Sequence, residues 1–311
     1  MKANCRALTL TDLPQPPAGK SGWPWTKASN PLPKYMPDGS EWPRISVITP
    51  SYNQGQFLEE TIRSVLLQGY PNLEYIVVDG GSTDNSVKVI KKYRVYIAYW
   101  VSERDKGQAH AVNKGLKVST GSILGWINSD DLYVKDTFKK IAEKLHRNLP
   151  YVLIHGNRIL INENSQVTGW SPLPTFIPEK GSFNVCSETA FWKRNVMDQV
   201  GLLKEELNFA MDLEFFSRLY LQGKFLKLDD YLGCFRCYKL NKSSIMPHIG
   251  REEALREWQF IFGAEYAAKR ENASKLTLLK ALVANPHLIG WPYISYKLSI
   301  YAARFNPLIK S

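Results

Sequence analysis

EYIVVDGGSTDNS, residues 74 to 86, decides the fold. Its first half is an unbroken apolar and β-branched run, the composition of a strand buried on both faces, and it ends on Asp79 followed by two glycines. A strand that surfaces at a carboxylate and turns on glycine places acid and permissive backbone together at a sheet edge. Asp79 there either accepts an N–H from a nucleobase edge or closes a turn on its own backbone, and the residue alone leaves both open. The following DNSVKVIKKY reads as a short helix capped by Ser82 or Thr83.

The same alternation extends in both directions. Upstream, ISVITP from Ile45 is a strand, and FLEETIRSVLLQ is a helix with Leu58, Ile62, Val65 and Leu66 on one face. Downstream come the strand IAYWVSE, the helix GQAHAVNKGLKV with Ala109, Val112 and Leu116 aligned, the strand SILGWINSDD, and a helix over 136–147. Strand and helix in turn predict an α/β fold with a mostly parallel central sheet and helices on both faces. Beyond residue 150 the order loosens. Strands are expected near YVLIHGNRILI, SETAFW, KFLKLD and YLGCFRCY, a helix over 212–222, and two or three helices over 250–306. The expected division is an arm over 1–43, a main domain over 44–245 and a basic amphipathic helical extension over 246–311.

The chain has 311 residues, 44% of them hydrophobic and 22% charged, an ordinary globular balance. Residues 1–43 hold eight of the 18 prolines together with Trp23, Trp25 and Trp42, so the arm is expected to be extended and packed on the domain. Cys5, Cys186, Cys234 and Cys237 are too few and too scattered for a disulfide framework, and CFRC at 234–237 reads as thiols on a strand. The N-terminus lacks a signal-like apolar run, and the most apolar stretch, 276–296, is broken by Lys280, Asn285, Pro286, His287 and Pro292. A cytoplasmic location is expected. The net charge of +11 is partly gathered after residue 272, where Lys275, Lys280, Lys297, Arg304 and Lys310 stand among Leu, Ile, Trp and Tyr with no acid. That pattern points to an anionic membrane surface, the alternative being a solvated basic face. No nucleic-acid-binding pattern is present, so nucleic acid is not an expected partner.

In an open α/β sheet, ligands bind outside the carboxyl ends of the strands. Three such ends are polar here: TPSYN (49–53), DGGS (79–82) and NSDD (128–131). Asp130 and Asp131, adjacent carboxylates at the end of an apolar strand, repel each other unless a cation lies near, and hard divalent ions take oxygen ligands with room left for phosphate. No G-x-x-x-x-G-K-[ST] loop cradles a phosphate in this sequence.

Taken together, ISVITPSYNQGQFLEETIRSVLLQ, EYIVVDGGSTDNS, DKGQAHAVNKGL, GWINSDD and AMDLEFFSRL, in that order over about residues 44 to 236, resemble the inverting glycosyltransferases of family 2 with a GT-A fold. The resemblance implies a nucleotide-sugar donor, a UDP-sugar foremost, with Thr49, Pro50 and Tyr52 beside the nucleoside and Asp79 on the base. It extends donor binding to Asp105, Gly107, Asn113, Asn128, Ser129 and Asp130. NSDD corresponds to the family's D-x-D region with Asn128 in an often acidic place, which leaves Asp131 as the ligand of Mn²⁺ or Mg²⁺ and Asp130 as a ribose or metal partner; His248 is a further metal candidate. Asp212 in MDLEFF is implied as the base that deprotonates the acceptor hydroxyl, the alternative being a plain helix N-cap; Glu214 points the other way around the helix. Glu188 and Trp192 in CSETAFW stand where the family shapes its acceptor pocket, with Trp192 alternatively part of the core. The acceptor implied is a saccharide or a lipid-linked one, in cell-surface polysaccharide synthesis. The rival from another class is a catalytically silent nucleotide-sugar or carbohydrate-binding module; a nicotinamide oxidoreductase lacks its glycine fingerprint here.

Overall fold

The computed structural model describes residues 6–145, 150–173, 175–178, 185–239, 241–242 and 247–265. Eight elements follow one another in the first part: β1 (Ile45–Ser51), α1 (Gly55–Leu66), β2 (Leu73–Asp79), α2 (Ser86–Tyr93), β3 (Tyr99–Ser102), α3 (Gln108–Val118), β4 (Ile123–Trp126) and the short β5 (Leu132–Tyr133). The second part holds α4 (Thr137–Leu145), β6 (Tyr151–Ile161), β7 (Val167–Ser171), a 3₁₀ turn (Ser187–Thr189), β8 (Phe191–Lys193), α5 (Arg194–Val200), α6 (Met211–Tyr220), β9 (Lys224–Arg236) and α7 (Pro247–Phe262).

One sheet runs in the order β3-β2-β1-β4-β8-β6-β9-β5, with β7 on β6. Its first four strands are parallel, and β8 enters antiparallel against β4 and opens a mixed second half. Alternation along the strands sends side chains to two cores. Ile48, Ile76 and Val78 pack with α3, α5, α6 and Trp258 of α7; Val47, Tyr75 and Val77 pack with α1, α2 and α4. The expected helices on both faces are therefore present. The first core is aromatic at its centre, where Trp126 stacks on Phe216 at 5.3 Å and Trp192 meets Trp126 edge-on at 5.5 Å.

Local expectations hold with some differences, and β5, β7 and α5 are elements that the sequence pattern did not announce. KFLKLD and YLGCFRCY form one continuous β9, because residues between them stay extended beside β6. SETAFW splits into a 3₁₀ turn and the three-residue β8. Neither Ser82 nor Thr83 caps α2: Ser82 turns back to Asp79 and Thr83 bonds Asn53, so the helix starts at Ser86 behind Asn85.

The arm wraps the second core. Trp23 donates to the Tyr133 carbonyl at 2.9 Å and Trp42 to that of Pro33 at 2.9 Å, while buried Arg63 of α1 holds the carbonyls of Pro14, Pro24 and Trp25. Among the described residues no helix is long and apolar enough to cross a membrane. The boundary expected near 245 and the basic tail after 272 both lie outside the described residues.

Candidate active site

A cavity of about 810 Å³, in the range of small-molecule sites, opens at the carboxyl edge of the parallel strands. Pro50 stands at the end of β1 and Tyr52 follows it, Gly80 follows β2, Asp105, Gly107 and Gln108 lead into α3, and Asn128, Ser129 and Asp130 follow β4. Glu188 of the 3₁₀ turn and Asp212 of α6 complete the acidic wall. The topology thus gathers residues far apart in sequence onto one chamber.

Gly80 is needed there: a Cβ would meet Asp105 Oδ2 at 2.7 Å, so only glycine lets that carboxylate approach. Asp105 in turn accepts the Gly107 amide at 2.8 Å. Gln108 donates to Asn128 at 2.7 Å, and Asn128 donates to Asp131 at 3.2 Å, which ties the entrance of α3 to the acidic turn.

Four expected site residues are spent inside the protein. Asp79 is fully buried; its carboxylate accepts the amides of Gly81 and Ser82 and the hydroxyls of Ser82 and Ser102. The turn alternative is the geometry adopted, and the cavity is reached by Gly80 instead. Thr49 is buried beneath Tyr75, whose hydroxyl it bonds at 3.0 Å. Asn113 clamps the 203–205 loop through Leu203 and Glu205. Trp192 is 0% exposed within the aromatic core, because its place on β8 points it away from the chamber; in place of a sugar platform it is core.

The acidic pair divides its work. Asp131 is 1% exposed, with Oδ1 accepting the Arg236 amide at 2.9 Å and Oδ2 accepting from Asn128. Asp130 faces the cavity and accepts the Tyr238 hydroxyl at 2.9 Å. Burial raises the pKa of both, and for Asp131 the charges of Asp130 and Glu188 raise it further. The cavity-facing carboxylate is therefore Asp130, not the expected metal ligand Asp131. The side chain of His248 lies outside the described residues.

Asp212 sits in the first turn of α6 without capping it: the N-cap is Ala210, and the amides of Asn208, Phe209 and Ala210 are taken by Glu253 of α7. Relieved of that duty, Asp212 faces the chamber with Oδ1 accepting the Leu213 amide at 2.7 Å. Burial, then the charge of Glu188, pushes its carboxyl up to about 6, while Lys242 acts in the opposite direction. Glu214 turns away to Arg218 at 2.8 Å, as its helical position dictates.

The cationic wall carries no motif that the sequence displays. Arg104, Arg158 and Lys242 reach the chamber from the loop after β3, from β6 and from the segment after β9. Arg158 meets Glu188 at 3.2 Å and lies over Phe235; Lys242 donates to Gln108 at 3.3 Å. Only burial partners in three dimensions could have singled them out.

Among the described residues no three His, Cys, Asp or Glu side chains gather closely enough to hold a metal by themselves. The donor chemistry nonetheless fits Mg²⁺ or Mn²⁺: a hard, buried carboxylate at Asp130 whose charged form burial disfavours, with ligand phosphate oxygens to complete the sphere.

A chamber at the carboxyl edge of parallel strands, with an acidic turn after β4 and a chamber-facing carboxyl at the start of α6, is the arrangement of a GT-A fold. Residues 46–201 match the family described as Glycosyl transferase family 2, and the chain belongs to that family. It is 39% identical over 106 residues to a protein of Bacillus subtilis (strain 168) named for teichuronic acid biosynthesis, TuaG, across 32% of this chain and 41% of that relative. It is 35% identical over 125 residues to the UDP-Glc:alpha-D-GlcNAc-diphosphoundecaprenol beta-1,3-glucosyltransferase WfgD of Escherichia coli, across 40% of this chain and 49% of that one. The chain spans less than half the length of either relative. Its fold is similar to that of S. aureus TarS 1-349 in complex with UDP-GlcNAc, with a TM-score of 0.58 at 21% identity over 78% of this chain and 73% of that one.

Proposed function

We propose that the chain transfers a sugar, with inversion, from a nucleoside-diphosphate sugar, a UDP-sugar foremost, to a hydroxyl of a saccharide or lipid-linked acceptor in cell-surface polysaccharide synthesis. The observation that carries this reading is Asp212: a chamber-facing carboxyl with a pKa near 6 shares its cavity with Asp130 of the acidic turn. The solved relative's UDP-GlcNAc and WfgD's UDP-Glc support a uridine donor.

In this reading the diphosphate lies along Ser129 and Asp130, the nucleoside against Pro50, Tyr52 and Gly80, and the sugar between Asp105 and Asp212. Asp212 takes the acceptor's hydroxyl proton as its oxygen bonds to the anomeric carbon. The bond from that carbon to the phosphate oxygen breaks, and its electron pair leaves with the nucleoside diphosphate. A base on the acceptor side and charge stabilisation on the leaving side are what one in-line displacement requires. Asp130 would hold a divalent cation, which when bound supplies positive charge to the leaving diphosphate. Lys242 and Arg104 supply fixed cationic charge on the chamber wall. Asp79 and Asn113 act indirectly, by shaping the Gly80 turn and holding α3.

A thermal-shift panel of UDP-, TDP- and GDP-sugars with Mn²⁺, Mg²⁺ or chelator, followed by release of the nucleoside diphosphate, tests the proposal. A metal-dependent shift with UDP-sugars and turnover is the expected result. Tight nucleotide binding with no turnover on any donor would instead favour the silent binding module.

A further inference from the structure

The CFRC stretch contributes nothing through its thiols, yet the arginine between them reaches the acidic turn. Arg236 ends β9 and is 0% exposed. Its guanidinium spreads in three directions: Nε donates to the Asp130 carbonyl at 2.7 Å, Nη2 to Glu60 at 3.0 Å, and Nη1 to Asn162 at 3.0 Å and Ser165 at 2.9 Å. Its plane lies 4.5 Å from the Phe57 ring. Its own amide donates to Asp131 Oδ1, and its carbonyl accepts from Asn241 at 2.9 Å, one residue before Lys242. The guanidinium thus fastens the turn after β4 to α1 and to the β6–β7 turn, while the backbone of the same residue holds Asp131 and the start of the Lys242 segment.

We propose that Arg236 is a positioning residue: by holding the Asp130 carbonyl and the Asp131 carboxylate against α1, it aims Asp130 into the chamber and sets the affinity for a nucleoside diphosphate. The inference rests on the donor reading above. A surface role does not account for the geometry, since no part of Arg236 meets solvent. A bulk packing role does not require three divergent donors, one ending on the backbone of the acidic turn, one on α1 and one on the β6–β7 turn. The planar fork is what satisfies these directions at once; a lysine keeps the charge and loses the fork. Partners that orient a metal- or phosphate-binding carboxylate typically change affinity by about 10- to 100-fold when altered.

The test is calorimetric titration of UDP with Mn²⁺ into the parent chain and into Arg236→Lys, with the melting temperature of each ligand-free protein measured alongside. The expected result is UDP affinity at least about 10-fold weaker in Arg236→Lys, with the pH limb of donor turnover near 6, set by Asp212, unmoved. Equal affinity in a folded Arg236→Lys overturns the inference. Should Arg236→Lys not fold, Ser165→Gly loosens the same guanidinium from a distance; Ser165 has φ 62, which glycine adopts freely. A few-fold loss of UDP affinity in Ser165→Gly supports the inference and unchanged affinity overturns it. A parent chain that binds no nucleoside diphosphate overturns the donor reading and this inference with it; a parent that binds while the variants bind equally overturns this inference alone.

Discussion

Replacing Asp212 with asparagine should make the protein more stable and inactive at once. In the folded chain the carboxyl titrates at about 6 against an ordinary 3.8, first because burial disfavours its charge and then because Glu188 repels it. A raised carboxyl pKa means that the folded state binds more protons than the unfolded state between these values, so stability falls as pH rises through that window. Two pH units correspond to about 3 kcal/mol as an upper bound, and partial solvent access reduces this to about 1–2 kcal/mol. Asparagine keeps an oxygen for the Leu213 amide and removes the charge. The stability gain of Asp212→Asn over the parent should therefore be near zero at pH 4, grow between pH 4 and 6, and level off above. Urea unfolding of both proteins across that range measures it. Turnover should drop by about 10²–10⁴, the usual contribution of a general base. A gain that does not change with pH, or a variant that turns over like the parent, would refute the reasoning.

The other expectations concern neighbouring residues. Donor turnover, as kcat/KM, should fall as pH drops through about 6, where Asp212 gains its proton, and a profile flat to pH 5 would remove that base from the mechanism. Gly80→Ala, which drives a Cβ to 2.7 Å from Asp105, should raise the donor KM while leaving melting temperature nearly unchanged; kinetics and a thermal scan together check it. Trp192→Ala should cost about 3–5 kcal/mol as a core truncation, whereas Trp192→Phe should leave the acceptor KM unaltered, which steady-state assays would reveal. Asp131→Ala strands the buried Arg236 amide and should cost about 1–3 kcal/mol in urea unfolding.

The first half of the fold was legible because period and position coincide. Strands such as ISVITP and EYIVVD are buried on both faces, and the helices between them show one apolar stripe each, so the α/β order and the chamber at the strand ends follow directly. Pro50, Tyr52, Asp105, Asp130, Glu188 and Asp212, expected on the same grounds or through the family resemblance, all line the chamber. The expected residues that do not line the chamber share one physical cause: a motif names a residue and not where its atoms point. Asp131 and Asp130 are neighbours in sequence, yet the turn after β4 sends one carboxylate to the Arg236 amide and the other to the chamber. Trp192 shares a stretch with Glu188, but β8 turns it into the core. Arg158, Arg236, Lys242 and Glu253 lie 27 to 123 residues from the acidic turn's Asp130 and Asp131 and carry no local signature, so only the folded sheet shows whom they serve.

The central claim is that acids from separate sheet edges act on one activated sugar. Titrating UDP with Mn²⁺ into the parent, Asp130→Asn and Asp212→Asn, with donor turnover followed in parallel, tests it most directly. The account predicts that Asp130→Asn loses metal-dependent binding, while Asp212→Asn binds as the parent does and releases no product. Binding that survives in Asp130→Asn, or turnover that survives in Asp212→Asn, would contradict it.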